Sequence, residues 1–211
     1  MVRDWLPVPP ATVLEIGCGP LGGFVPMLRA AGYHATGIDP EAPEGQWYQP
    51  VEFESYAAPE PVQAIVACTS LHHVADVGDV LASAEAALAA NGVLVVVEWA
   101  RERFDEPTAR WCFRRLPPAT GEPGWLRQQL DGWQSSRLPW ADFCRSWAEE
   151  EGLHAGDEIV RELDARFDRE LLAYGPYFFS DLAGVSERDE QAAADAGEIQ
   201  ANRISYVGRR R

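Results

Sequence analysis

Carboxylates flank a glycine-rich turn near the start of the chain. Glu15 comes two residues before Gly17 and four before Gly19, and Asp39 ends the next apolar run. Glycine lets a backbone turn sharply and approach a ligand closely because it carries no Cβ. A carboxylate at the end of a strand can accept two hydrogen bonds from a ribose diol. The pattern therefore indicates a binding site for a nucleotide-like cofactor.

A strand, a turn, a helix and a second strand must position these residues. Residues 13–16 are mostly apolar and bounded by glycine, which is typical of a buried parallel strand. Residues 24–31 carry apolar side chains at helical spacing, and Gly32 ends that pattern. Residues 35–39 form the second strand. The glycine turn and the terminal carboxylate are then expected at the same edge of a parallel sheet.

Two cofactors compete for this turn. Gly17, Gly19 and Gly22 satisfy the G-x-G-x-x-G pattern of dinucleotide-binding proteins, which would make the chain an NAD-dependent oxidoreductase. Glu15 argues against NAD, because a pyrophosphate is anionic and is disfavoured beside a carboxylate. S-adenosylmethionine (SAM) has no phosphate and carries a sulfonium and an α-ammonium group, so a nearby acid suits it. Glu15 therefore favours SAM, and the oxidoreductase remains the alternative.

Four segments in the first half of the chain resemble the successive motifs of class I SAM-dependent methyltransferases. They are residues 13–19, 37–39, 70–74 and 91–96, in the order of that family. The family usually has a third glycine where this chain has Leu21. The resemblance implies a Rossmann-like α/β fold whose sheet has seven strands, the last of them antiparallel. It also implies methyl transfer from SAM, which leaves S-adenosylhomocysteine. A SAM-binding protein that transfers no methyl group is the second alternative.

The resemblance also implies which residues hold the cofactor. Gly17 and Gly19 form its floor, Glu15 lies near its methionine end, and Asp39 binds the ribose hydroxyls. Residues 52–55 supply the candidates for the adenine. The predicted cofactor-binding set is Glu15, Gly17, Cys18, Gly19, Asp39, Phe53, Glu54 and Thr69.

Two neighbouring histidines follow the fourth predicted strand, residues 64–68, at the cofactor edge of the sheet. Because adjacent side chains point to different sides, at most one of His72 and His73 is expected to face the site. His73 is the preferred candidate for a general base or a substrate contact. A structural cap at the strand end explains the pair equally well. No metal site is predicted, because His72 and Asp76 alone make a poor ligand set.

Glu98 is the second candidate catalytic residue. It ends the fifth predicted strand, residues 93–98, at the same edge of the sheet. A carboxylate there can orient a substrate ammonium, act as a base, or pair with Arg101 or Arg103. The ion pair and the functional role are about equally favoured.

An aromatic segment follows the fifth strand, and six of the eight tryptophans lie between Trp99 and Trp147. Trp140, Phe143 and Trp147 stand at i, i+3 and i+7, which places them on one face of a helix. Such a stripe is usually core. The segment also lies where the reactive end of the cofactor is expected. We therefore predict that residues 99–160 form a helical cap that lines a pocket for an aromatic or apolar small-molecule acceptor.

Composition and charge agree with one domain over residues 1–211. The net charge is −15 and all 18 basic residues are arginine, which argues against a nucleic-acid partner because phosphate contacts need clustered cations. The four cysteines lack metal or redox spacing, so reduced thiols in a cytoplasmic protein are expected. Neither a signal peptide nor a membrane span is predicted, and the oligomeric state is left open.

Turn and periodicity signals predict the remaining elements. The patterns indicate a third strand, a helix after the histidines, a second helix opened by a Ser186–Asp189 capping box, and a final strand. Their predicted ranges are residues 51–53, 77–90, 186–196 and 199–207.

Overall fold

The computed structural model describes residues 2–118 and 121–211, and in this part of the chain it forms one sheet with helices packed around it. The strands are β1 (Thr12–Ile16), β2 (His34–Ile38), β3 (Tyr48–Gln49), β4 (Val62–Cys68), β5 (Leu88–Trp99), β6 (Phe167–Gly175) and β7 (Arg203–Arg210). The helices are α1 (Val2–Trp5), α2 (Val25–Ala30), α3 (Val77–Ala87), α4 (Glu106–Phe113), α5 (Trp125–Ser136), α6 (Trp140–Glu150), α7 (Gly156–Arg166) and α8 (Glu187–Asp195).

The strand order is β3-β2-β1-β4-β5-β7-β6. Neighbouring strands from β3 to β5 are parallel, and β7 runs antiparallel to both β5 and β6. The predicted seven-stranded sheet with a reversed last strand is therefore confirmed. The chain order changes direction between β1 and β4, and in open α/β sheets such a switch point leaves a crevice beyond the carboxyl ends of the strands.

Both faces of the sheet are covered, which explains why its central strands are apolar throughout. On one face Leu14 packs in a cluster with Val80 of α3 and Leu163 of α7. On the other face Val13 packs with Val25 of α2, and the N-terminal segment adds to that cluster. Because both sides are buried, the sheet is a rigid platform for the loops at its edge.

The third strand is shorter and earlier than the predicted range, residues 51–53, so that prediction was wrong. Tyr48–Gln49 pairs with β2, and Pro50 follows without the N–H that would continue the ladder. The chain then forms a 3₁₀ turn over Phe53–Ser55, with the Phe53 ring buried in the core.

The helix α3 ends at Ala87, three residues before the predicted end. Leu88 is already extended, with φ −71° and ψ 139°, and it pairs with Val62 of β4. Asn91 has a left-handed backbone, with φ 63°. The chain therefore leaves the helix directly into the strand.

The predicted capping box at Ser186 is confirmed, whereas the final strand begins later than predicted. Ser186 Oγ accepts from the backbone N–H of Asp189, and the Asp189 carboxylate accepts from the N–H of Ser186 at 2.9 Å, which is a capping box. The last strand begins at Arg203 and not at residue 199. Ile199 is instead buried among the aromatic side chains of the insertion.

The predicted helical aromatic insertion follows β5 and contains α4 to α6, and α7 packs on the sheet again. Its two ends are joined. The Nε–H of Arg101 donates to the carbonyl oxygens of Leu153 and His154, each at 3.1 Å. A Cβ on Gly156 would lie 2.8 Å from Cα of Ala100, so α7 begins against the residue after β5. The insertion thus leaves the sheet and returns to it at one point.

None of the helices in the described residues has the length and apolar character needed to cross a bilayer.

Candidate functional site

A groove of about 430 Å³ opens at the carboxyl ends of β1, β2 and β4. This is the crevice that the strand order predicts. Much of the predicted cofactor-binding set lines it, namely Gly17, Gly19, Asp39, Phe53, Glu54 and Thr69.

The two glycines of the turn have different physical requirements, although both have positive φ. A Cβ on Gly17 would lie 2.2 Å from Cβ of Ser70, so the absence of a side chain there allows the β4 loop to close on the turn. Around Gly19 no atom of the described residues lies within 4 Å of such a Cβ. Gly19 therefore leaves open space where a ligand can approach the backbone.

Asp39 connects the end of β2 to the glycine turn. Its Oδ2 accepts from the N–H of Gly19 at 2.9 Å, and its Oδ1 accepts from the N–H of Glu41 at 2.7 Å. Each carboxylate oxygen can accept a further hydrogen bond. The side chain is thus fixed in orientation and retains accepting capacity toward the groove.

The groove is acidic. Its lining carries the carboxylates of Asp39, Glu41, Glu52 and Glu54, and no arginine among the described residues. A cleft lined by one sign of charge attracts ligands of the opposite sign. The lining fits the sulfonium and ammonium charges of SAM, and it would repel a pyrophosphate.

Glu15 and Cys18 lie beneath the groove and support the turn from below. Glu15 is 2% exposed, and its carboxylate oxygens accept from the N–H of Phe24 at 2.8 and 3.0 Å. Burial raises the pKa of Glu15 to about 7. The Cys18 sulfur packs against Gly37, and burial raises the pKa of this thiol to about 12. Both residues fix the backbone on which a cofactor would rest.

Gly22, the third glycine of the dinucleotide pattern, is a packing residue. A Cβ on Gly22 would lie 2.5 Å from the hydroxyl oxygen of Tyr48. Leu21, which occupies the family's usual glycine position, is 94% exposed. The match to G-x-G-x-x-G therefore reflects local packing in this chain.

An aromatic cavity of about 300 Å³ adjoins the groove. Its lining comes from the ends of β4 and β5, from the insertion and from the segment after β6. The residues are Thr69, His72, His73, Trp99, Trp125, Trp147, Leu153 and Tyr177. Thr69 and His73 line the cofactor groove as well, so they stand where the two spaces meet.

Trp99 is the centre of the cavity wall. Its ring lies 5.3 Å from the ring of Trp125 and 6.0 Å from that of Trp147, and it stacks on Tyr177 at 6.1 Å. Trp140 is buried in the core, where its indole N–H donates to the Phe104 carbonyl at 2.7 Å. One helix face therefore provides both core packing, through Trp140, and cavity lining, through Trp147.

Thr69 has an unusual backbone. It has φ 50°, a left-handed conformation that is disfavoured for a β-branched residue. Its N–H donates to Val97 O at 2.8 Å, and its hydroxyl donates to Cys68 O at 2.8 Å. Backbone strain of this kind costs on the order of 1–3 kcal/mol and tends to occur at functional sites.

Glu98 is fully buried and bonded to His72. Its Oε2 lies 2.6 Å from Nδ1 of His72, and its Oε1 accepts from the N–H groups of Ser70 and Leu71 at 2.7 and 2.6 Å. The predicted alternative of an ion pair with Arg101 or Arg103 was wrong. Both guanidinium groups are turned toward backbone carbonyls.

The two histidines have different surroundings. His72 is 6% exposed, and His73 lies at the surface with its ring centroid 4.2 Å from that of His72. Desolvation, followed by the neighbouring His72, lowers the pKa of His73. Both rings line the aromatic cavity, although the sequence argument expected one at most to face the site.

Local sequence patterns did not predict Ser70 or Tyr177 as site residues, and they favoured His73 over His72. Tyr177 lies in an apolar, aromatic stretch, residues 169–179, in which Gly175-Pro176 ends β6 and is a recognisable break. Glu190 of α8 then holds the segment, accepting from the N–H groups of Tyr177 and Phe179 at 2.8 and 2.7 Å. Nothing in the local sequence signals that contact.

A family model described as a methyltransferase domain matches residues 4–144, a range that includes the whole glycine turn and the groove. No curated protein sequence matches the chain.

Several solved structures share the fold. A SAM-dependent methyltransferase from Mesorhizobium loti aligns with a TM-score of 0.58 and 16% identity, over 99% of this chain and 95% of that one. Geranyl diphosphate C-methyltransferase from Streptomyces coelicolor A3(2) gives 0.54 and 14%, over 98% and 72%. The 1,6-didemethyltoxoflavin-N1-methyltransferase from Burkholderia thailandensis gives 0.52 and 14%, over 95% and 71%. At these low identities the likeness shows a shared fold and nothing beyond it.

Proposed function

This chain belongs to the methyltransferase-domain family and is a SAM-dependent methyltransferase, and we propose that its methyl acceptor is a small aromatic or apolar molecule. The observation that carries the proposal is the pair of adjoining spaces, one acidic and one aromatic, that share Thr69 and His73. An acceptor in the second space would lie next to a cofactor in the first. The oxidoreductase alternative is not retained.

The cofactor roles follow from the groove. Gly19 gives the backbone access to the ligand, Asp39 binds the ribose hydroxyls, and Phe53 with Glu54 contacts the adenine. Glu15 and Cys18 act from beneath by holding the turn, as their burial and contacts suggest. Bound SAM supplies an electrophilic methyl group, and the protein's task is to orient the acceptor and exclude water.

The catalytic roles lie at the junction of the two spaces. His73 contacts the acceptor or the cofactor there, because it lines both. Glu98 is buried beneath His72 and acts through that ring. The insertion, predicted as residues 99–160, confers acceptor specificity because its Trp125 and Trp147 pack against Trp99 at the end of β5 and line the cavity with it.

The size and chemistry of the cavity support a small acceptor. A cavity of about 300 Å³ is at the lower end of the range for small-molecule sites, and its walls are mostly aromatic. Two proteins of the same fold have been crystallised with small ligands, one with geranyl-S-thiolodiphosphate and one with 1,6-didemethyltoxoflavin.

The test separates the two spaces. Calorimetric titration with SAM, S-adenosylhomocysteine and NADH establishes the cofactor, and a panel of small aromatic compounds is then screened by S-adenosylhomocysteine release. We expect Trp147→Ala to raise KM for an accepted compound about tenfold, the loss of roughly 1.4 kcal/mol of aromatic contact, with SAM affinity unchanged. Trp47→Ala, outside the cavity, is the matched control. The proposal would be contradicted if none of the aromatic compounds in the panel caused release of S-adenosylhomocysteine.

A further inference from the structure

The geometry points to the acceptor's reacting group: His72, held by Glu98, is the general base that removes the proton from a phenolic hydroxyl. The substrate class is therefore aromatic alcohols, and the reaction is O-methylation. This inference rests on the proposed function and adds to it the base, the positioning residue and the chemical class of the acceptor.

Glu98 fixes the tautomer of His72. In the described residues the Glu98 carboxylate accepts from the N–H groups of Ser70, Leu71 and Trp99, and its Oε2 lies 2.6 Å from Nδ1 of His72. Since a carboxylate only accepts, Nδ1 must carry the hydrogen. Neutral His72 then has its lone pair on Nε2, as in the histidine of a catalytic triad.

The His72 ring is also fixed in place. Its backbone carbonyl accepts from the N–H of His154 at 3.0 Å, and its ring meets the edge of Trp99 at 6.1 Å with the planes 79° apart. The ring lines the aromatic cavity, and Nε2 has no hydrogen-bond partner in residues 2–118 and 121–211. An accepting nitrogen is thus free in a wall that is otherwise mostly aromatic.

A hydroxyl donor in the same wall favours an oxygen nucleophile. Burial raises the pKa of Tyr177, with Glu98 as the second cause, so its hydroxyl stays protonated and can donate. A phenol oxygen has two lone pairs, so it can accept from the Tyr177 hydroxyl and still attack the methyl carbon while its proton goes to Nε2. A neutral aniline has one lone pair, which a hydrogen bond from Tyr177 would withhold from the methyl carbon.

Other titratable groups surround His72. Glu98 lies on β5, His73 is next in the chain, His154 precedes α7 and Tyr177 follows β6. Burial and then the nearby Glu98 charge raise the pKa of the Cys68 thiol at the end of β4. Substitutions must therefore distinguish the role of His72 from the roles of these neighbouring groups.

The reaction balances without another reactant. The phenol oxygen forms a bond to the methyl carbon while the methyl–sulfur bond breaks, and the sulfonium becomes a neutral thioether. The hydroxyl proton passes to Nε2 of His72, and the Glu98 carboxylate stabilises the resulting imidazolium. The proton leaves to solvent when the product departs.

The test uses two phenols that differ in acidity. 4-Nitrophenol is largely ionised at about pH 8 and needs no base, whereas 4-methylphenol stays protonated and does. We expect His72→Ala to lower kcat about 10²–10³-fold for 4-methylphenol and less than about tenfold for 4-nitrophenol. Added imidazole should restore part of the 4-methylphenol rate.

Matched variants show whether the effect is specific to His72. His73→Ala should affect both phenols by the same factor, because His73 has no bond to Glu98, and His34→Ala, on the exposed start of β2, should leave both rates unchanged. Glu98→Gln should show the same dependence on acceptor acidity as His72→Ala. An unchanged calorimetric affinity for S-adenosylhomocysteine indicates that a variant is folded.

The outcomes separate this inference from the proposed function. Equal rate losses for the two phenols in a folded His72→Ala, or methylation of anilines and not of phenols, would overturn the base and the acceptor class but leave an aromatic acceptor in place. Methylation of no aromatic compound would overturn both.

Discussion

The Asp39 carboxylate accepts a hydrogen bond from the N–H of Gly19 at 2.9 Å, which ties the end of β2 to the turn after β1. The two residues are twenty positions apart and share one wall of the acidic groove. The same side chain thus orders the glycine turn and keeps accepting oxygens at the groove, where we propose that it binds a ribose.

We expect Asp39→Ala to weaken SAM binding by about 1–3 kcal/mol, the loss typical of charged hydrogen bonds. Asp39→Asn keeps one accepting oxygen and should lose less. Titration calorimetry on both variants measures the difference. An unchanged affinity in folded Asp39→Ala would remove this residue from the site.

The two glycines of the turn should respond differently to the same substitution. Gly17→Ala combines a left-handed φ with a 2.2 Å approach to Ser70, so we expect a loss of about 2–4 kcal/mol in the free energy of unfolding. Gly19→Ala meets no described atom within 4 Å and should lose only about 1–2 kcal/mol, while its methyl group obstructs SAM. Urea unfolding and calorimetry distinguish the two effects. Equal destabilisation would contradict the packing role of Gly17.

Glu15 should make stability depend on pH. Its pKa is about 7 in the folded protein and 4.5 when exposed, so the folded state binds the proton more tightly. The corresponding stability is present below pH 4.5 and is lost as pH rises to about 7, by up to roughly 3 kcal/mol. Glu15→Gln should remove this dependence. Parallel curves of unfolding free energy against pH for the two proteins would exclude it.

Glu190 should stabilise the Tyr177 wall of the aromatic cavity. It is 1% exposed and accepts from the N–H groups of Tyr177, Phe178 and Phe179. We expect Glu190→Ala to cost about 2–4 kcal/mol, because buried donors lose their acceptor, and to raise KM for the acceptor more than that for SAM. Glu187→Ala, in the same helix with an exposed ion pair, should cost less than about 1 kcal/mol. Similar losses would assign Glu190 to the helix alone.

The lining of the acidic groove was predictable because its signals are local. The glycine turn, the apolar strands and Asp39 each lie within a few residues of the element that positions them. The third strand was misplaced because Tyr48–Gln49 pairs over two residues, too few to produce an alternating pattern. Its position depends on contacts with β2 that the local sequence does not encode.

The aromatic cavity was less predictable because it depends on distant contacts. The bond between His72 and Glu98 spans 26 positions, and the one between Glu190 and Tyr177 spans 13 across a turn. Strand periodicity assigns adjacent histidines to opposite sides, but a 3₁₀ turn over Leu71–His73 replaces the strand there and brings both rings to one cavity. Whether residues at the end of a strand continue the strand or form a turn therefore decides on which side their side chains lie.

The joined ends of the insertion have a consequence for how this enzyme can diversify. Arg101 contacts Leu153 and His154, and Gly156 begins against Ala100, so the chain between them is a closed excursion from a continuous sheet. Such an excursion can be exchanged as a unit between relatives while the groove keeps its shape. If the insertion sets acceptor preference, as we propose, recombination at these two points would change that preference and leave the acidic groove intact.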